Sequence, residues 1–187
     1  MRTTWIACLL VGAAFVATAN LSAAQDKGKT EAAELAAASK ASLRTLYASV
    51  PLAKQLGPKA VAILVFPKVT KAGLGIGGQY GEGTLLKKGA ATAYYKTTGA
   101  SFGLQAGGQT YGYAMFFMNA KALQDFEGAS GFEVGVGPSV VLVDEGMAKT
   151  TTTKTLKEDI YAFVFGQKGL MAGLGIQGNK ITKITPK

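Results

Sequence analysis

The 187-residue sequence has no histidine, and its one cysteine, Cys8, lies within the first ten residues. Beyond that point the chain cannot assemble a Ser-His-Asp triad, a Cys-His pair, or a zinc or iron site built on His or Cys. Proline is scarce, at 5 residues, and only 17% of residues are charged. Acids are the scarcer sign, 11 against 20 Lys and Arg. Arginine nearly vanishes after Arg2, leaving only Arg44. A nucleic-acid surface favours arginine with interleaved aromatics, so nucleic acid is not an expected partner. Long apolar runs are also missing: past the first two dozen residues the longest compact one is Ala60 to Phe66. That is far below the ~20 residues of a spanning helix, so any membrane contact is expected to be peripheral.

The N-terminus has the grammar of a secretory leader. One cation, Arg2, precedes an apolar run from Trp5 to Ala17 and then small residues. Cleavage fits after Ala19 or after Ala24, and the polar Gln25-Asp26-Lys27 favours Ala24. Residues 1–24 are thus read as a signal peptide and 25–187 as a single domain. A lipoprotein reading through Cys8 is disfavoured, because Trp5-Ile6-Ala7 lacks the usual upstream leucine and leaves almost no hydrophobic region. The expected location is periplasmic or secreted, peripheral to a membrane. Removal of Arg2 with the leader leaves 19 basic and 11 acidic residues, a net charge of +8.

What remains is about 160 residues, enough for one domain with a core. Hydrophobic residues make up 48% of the chain and glycine contributes 25 residues without a collagen-like period. Thr30 to Val50 reads as the one long helix, with Thr30 as N-cap and Glu31 and Glu34 near its positive end. Ala32, Leu35, Leu43, Leu46, Tyr47 and Val50 fall within about a third of its circumference. Pro51 to Leu56 reads as a short second helix stopped by Gly57-Pro58.

From Ala60 the texture turns to strand. Ala60 to Phe66 reads as a buried strand ended by Pro67. Gly73–Leu86, Ala91–Tyr95, Ser101–Met118, Glu133–Val143 and Ile160–Phe165 are rich in Gly, Val, Tyr, Phe and Thr. A short helix capped by Asn119 interrupts them over Asn119–Phe126. Helices first and strands after predict an α+β fold: an N-terminal helix, then a strongly curved, largely antiparallel, glycine-rich sheet, barrel-like or sandwich.

Several motifs compete for a functional reading. Gly73-x-Gly75-x-x-Gly78 and Gly173-x-Gly175-x-x-Gly178 have the glycine spacing of dinucleotide sites, and Ala72–Ile76 recurs as Ala172–Ile176. A pyrophosphate needs a helix opening at the motif, and Gln79-Tyr80-Gly81 and Asn179-Lys180-Ile181 open none. Both copies are expected in curved strands, without a cofactor. The adjacent acids Asp144-Glu145 precede Gly146 and read as a turn; Asp125 with Glu127, and Glu158 with Asp159, read as solvated element ends. No catalytic, metal or cofactor residues emerge. The basic excess is nearly all lysine, including Lys87-Lys88 and the group Lys149, Lys154 and Lys157, and suits attraction to anionic surfaces.

Three ordered blocks carry a family likeness. Ala60-Val61-Ala62-Ile63-Leu64-Val65-Phe66-Pro67-Lys68-Val69-Thr70-Lys71-Ala72-Gly73 resembles the opening of the SYLF domain, also called the Ysc84 actin-binding domain. Gly131 to Pro138 is similar to its central glycine-rich strand, and Asp159 to Gly173 to its C-terminal signature. The likeness runs from about Thr30 to Ile184 and is closest to the secreted bacterial branch. It implies a non-enzymatic domain that binds phospholipids, phosphoinositides in eukaryotic members, with actin binding in some. Ser139-Val140-Val141 stands where eukaryotic members carry a basic residue shortly after the Gly-Pro. With the leader, this makes actin and phosphoinositides poor expectations here. The expected partner is an anionic phospholipid surface, met by Lys40, Arg44, Lys87 and Lys88 and by a helix whose leucines either insert or pack on the sheet. The alternative is a structural or protein-interaction domain of the envelope that does not bind lipid.

Overall fold

The computed structural model describes residues 9–133, 140–143, 158–169 and 179–186. Helix α1 spans Leu9–Ser49. It therefore starts well before Thr30, which sits inside the helix and is not its N-cap. The helix ends where the sequence dictates. Val50 precedes Pro51, whose ring disfavours a helical conformation on the residue before it, and Val50 is extended at φ −124°, ψ 97°. Pro51 then opens α2 (Pro51–Leu56), and a 3₁₀ turn follows over Gly57–Lys59.

The sheet begins with two very long strands, β1 (Ala62–Lys87) and β2 (Ala90–Phe117), paired antiparallel along nearly their whole length. Lys88 and Gly89 join them, at φ 51° and 79°. Positive φ at both positions gives the primed two-residue turn whose twist matches that of the flanking strands. Pro67 does not end the first strand. Its missing N–H falls at a register shift between Phe66 and Val69, where the ladder makes no demand on it. The segments expected as separate strands over 60–66 and 73–86, and over 91–95 and 101–118, are thus the two arms of one hairpin.

That hairpin folds back on itself. Another register shift lies between Leu74 and Ile76. The two halves of β2 also have different outer neighbours: Tyr94–Thr98 pair with β6 (Lys180–Ile184), and Gln109–Phe117 pair with β5 (Ile160–Gly169). The fold-back needs glycine at the crossing. A methyl group on Gly83 would sit 2.6 Å from Phe66 Cδ1, and one on Gly81 would sit 2.8 Å from the Lys68 carbonyl oxygen. The sheet order is β3-β6-β2-β5-β4, with β1 on β2. β3 is Phe132–Glu133 and β4 is Val140–Val143; β4 pairs parallel with β5, and the other pairings are antiparallel. Of the strand expected over 133–143, residues 134–139 lie outside the described residues. β6 was not expected from the sequence.

The curl gives the sheet two buried faces. Leu64, Phe66, Tyr113, Met115, Phe117, Ile160 and Val164 point inward, and helix α3 (Ala120–Gly128) adds Leu123 and Phe126. The Phe126 ring lies 4.9 Å from those of Tyr95 and Phe117 and 5.3 Å from that of Phe132. Asn119 caps α3 as expected, accepting from the Ala122 N–H at 2.8 Å. The alternate residues Ile63, Val65, Phe116, Tyr161 and Phe163 point outward, where Leu46, Val50, Leu52 and Leu56 of α1 and α2 cover them. With apolar residues on both faces, the strands lose polar alternation and read as continuous apolar runs. The result is α+β with an N-terminal helix and a strongly curved, mostly antiparallel sheet.

Candidate functional site

Helix α1 divides its circumference between core and solvent. Ser39, fully buried, donates either to the Val65 carbonyl oxygen at 3.2 Å or to Thr84 Oγ1 at 3.1 Å, so it bridges both halves of the folded strand β1. Leu46 and Val50 are buried on the same side, and Leu43 and Tyr47 are half-buried against that cluster. The apolar stripe is therefore packed on the sheet from Leu43 to Val50, with Leu46 at 0% exposure.

The cations lie elsewhere on the helix. Lys40 and Arg44 are exposed and one turn apart, and Lys29 lies three turns before Lys40 on the same flank. At 100° per residue the three fall within roughly 60° of one another, and they span about 22 Å of helix. Glu31 and Glu34 project from the other side of the exposed arc, where Lys27 approaches Glu31 at 4.0 Å. From Lys29 to Arg44 this flank carries no acid of its own helix. Neither Lys40 nor Arg44 has an ion pair or hydrogen bond among the described residues. Lys29 went unremarked in the sequence reading; its spacing of 11 residues from Lys40 was the available signal.

Lys87 and Lys88 sit together at the hairpin tip, on another element. They are not equivalent. Leu86 joins the helix-side cluster, so Lys87, the next residue along the strand, faces the opposite side. There its Nζ meets Glu127 Oε1 of α3 at 2.9 Å. Lys88 is exposed in the turn. The structure therefore pairs two of the four expected cations on α1, commits Lys87 to a carboxylate, and leaves Lys88 at the tip.

The sheet interior has a polar end. Lys71, 3% exposed, pairs in register with Gln109. Tyr111 donates to Gln79 Oε1 at 3.1 Å, linking the two halves of the folded hairpin. Among the described residues, Gln79 Nε2, Gln109 Oε1, Thr97 Oγ1 and the Tyr95 and Tyr113 hydroxyls are buried without a hydrogen-bond partner. Burial pushes the Tyr111 phenol up to about 12, and raises those of Tyr113 and Tyr95 above their ordinary value. On the outer surface Tyr80 is also raised to about 12, first by its hydrogen bond to the Glu82 carboxylate. These shifts disfavour phenolate and prepare no base.

The first glycine fingerprint, Gly73 to Gly78, lies within β1, and the chain continues as strand to Lys87. No helix N-terminus opens there, so the feature that would receive a pyrophosphate is missing. The second copy, Asp144-Glu145, and Lys149, Lys154 and Lys157 lie outside the described residues. Among the described residues no group of acids is placed to hold a metal ion, and no helix is long and apolar enough to cross a membrane.

Comparison with curated proteins gives no match to the chain. Residues 98–185 match a family model. They take in the second half of β2, α3 and β3 to β6, so the match rests on the curled sheet and leaves α1 and β1 outside it. Over that span the chain is similar to the Ysc84 (SYLF) family, described as Las17-binding protein actin regulator, which is a family of binding domains with actin- and lipid-related partners and not a family of enzymes.

Proposed function

We propose that the protein is an exported, non-enzymatic domain that associates peripherally with anionic phospholipid through the basic flank of α1. The observation that supports this reading is the alignment of Lys29, Lys40 and Arg44 on one exposed side of α1, with no acid between them on that side and with Leu46 and Val50 packed on the other. Lys88 at the hairpin tip is a further contact, and Lys87 a weaker one because Glu127 neutralises it. In this reading the leader is removed after Ala24, and the contacts of Ser39, Leu46 and Val50 with the sheet lie in the part of α1 that is kept. Each basic residue held near an anionic leaflet contributes about 1 kcal/mol, so three account for a roughly hundredfold gain.

Vesicle co-sedimentation tests it. The protein is expected to sediment with phosphatidylglycerol-containing vesicles, to release as salt rises, and to lose most binding on Lys29, Lys40 and Arg44→Glu. Equal sedimentation with neutral phosphatidylcholine at high salt, or no effect of the triple reversal, sinks the reading. The packing of the α1 leucines on their own sheet equally suits a structural or interaction domain of the envelope. Failure to sediment with anionic vesicles at low salt would select that alternative.

A further inference from the structure

A second feature lies near the beginning of the domain. Between α1 and the sheet is a cleft of about 600 Å³, walled by Gly28 and Ala32 on the helix, by Thr92 and Tyr94 on β2, and by Ile184 and Pro186 at the end of β6. Its origin is local. Further along, Ser39, Leu46 and Val50 fill the space beneath the helix. Gly28 and Ala32 occupy the same side of α1 but are too small to reach the sheet. Tyr94 and Ile184 are register partners, so their side chains stand side by side on one face of the sheet. The wall is predominantly apolar. Lys29, exposed, belongs to it; Lys183, the register partner of inward-facing Tyr95, turns its side chain to the other face of the sheet, and there is no carboxylate among the described lining residues.

We infer that this cleft is a binding site for a single-chain anionic amphiphile of the long-chain carboxylate class. The volume lies within the roughly 300–1,000 Å³ of small-ligand sites, and an apolar wall with few polar groups is what such sites share. Lys29, with no acid among the described lining residues, fixes the sign of the head group. The chain lies between Ala32 and the Tyr94–Ile184 pair, and the carboxylate lies at the exposed edge. The inference goes beyond the membrane reading and stands without it. Ala32 is two turns or more from Lys40 and Arg44, and an occupied cleft needs no bilayer.

Calorimetry of the purified protein with dodecanoate, below its micellar concentration, tests the site. Saturable binding of one equivalent is expected. Over a series of chain lengths the affinity should tighten about tenfold per two methylenes, then level off once the cleft is full. Ala32→Trp should abolish binding by filling the cleft. Thr92→Leu, which intrudes from the opposite wall, should weaken it several-fold and covers the case in which the tryptophan variant fails to fold. Lys29→Gln should weaken dodecanoate but leave the uncharged dodecanol unchanged. No saturable binding, affinity that climbs without levelling, or full affinity in a folded Ala32→Trp would each overturn the site. The two readings fail separately: Ala32→Trp should still sediment with anionic vesicles, and Lys40 and Arg44→Glu should still bind dodecanoate.

Discussion

Leu46→Ala separates the two roles open to the apolar stripe of α1. Leu46 is fully buried, in one cluster with Val50, Ile63, Val65 and Leu86. Truncation removes three carbons and leaves a void bounded by a helix, by β-branched strand residues and by the second helix, all held by their own hydrogen bonds. Such walls relax little, so the cost should be about 3–5 kcal/mol, in the upper part of the range for buried leucines. That is a large share of the ~5–15 kcal/mol by which domains are stable. In urea, with a slope of about 2 kcal/mol/M, the midpoint should fall by roughly 1.5–2.5 M. Binding to anionic vesicles, measured where the variant is still folded, should be unchanged. Had Leu46 been an inserting residue, the pattern would invert. A midpoint within ~0.3 M of the parent, together with weakened vesicle binding, would refute the packing argument.

The fold-back of the hairpin is tested by a pair of glycines. Gly83→Ala should destabilise by about 1–3 kcal/mol or more, because its methyl group meets Phe66 and the β1 backbone, whereas Gly128→Ala, at the end of α3 with nothing within 4 Å, should be neutral or stabilise by up to ~1 kcal/mol; equal urea midpoints for the two variants would contradict the crossing. Tyr113→Phe should raise stability by about 1–3 kcal/mol, since the hydroxyl is buried without a partner, and a loss would reveal a hydrogen bond that the hydroxyl does make. Stability should also fall above pH 10. There the unfolded chain releases the Tyr111 proton while the folded chain keeps it to about 12, a slope of about −1.4 kcal/mol per pH unit from this residue. Urea titrations at pH 9, 10 and 11 should show a shallower decline in Tyr111→Phe, and an identical decline would dismiss that cause.

Elements whose signals are local were legible in the sequence. Asn119 three residues before a free N–H, Pro51 at a helix start and Gly57-Pro58 at a helix end act within one turn of chain, and each element formed where those residues placed it. The continuity of β1 through Pro67 was not legible, because a proline is tolerated or excluded according to whether its neighbour strand expects an N–H there. That depends on the register with Tyr111 and Tyr113, more than 40 residues away. The helical run before Thr30 escaped a reading that set residues 1–24 apart from the rest of the chain. β6 escaped because Lys180 and Lys183 break up its apolar pattern; its strand character comes from pairing with Tyr94–Thr98.

The same distinction governs the site. Lys40 and Arg44 could be placed together from the sequence because helical spacing alone joins them. The loss of Lys87 to Glu127 could not, since their contact spans 40 residues and depends on α3 lying across the open side of the curl. A helix has one circumference. Once Ser39, Leu46 and Val50 commit one side of α1 to the sheet, no apolar face remains on that stretch to enter a bilayer, and membrane affinity, in the reading proposed above, must come from charge alone. The screening length falls from ~30 Å at 0.01 M salt to ~8 Å at 0.15 M. Attachment through Lys29, Lys40 and Arg44 is then a low-salt, anionic-lipid interaction, without the salt-resistant component that inserted leucines would supply.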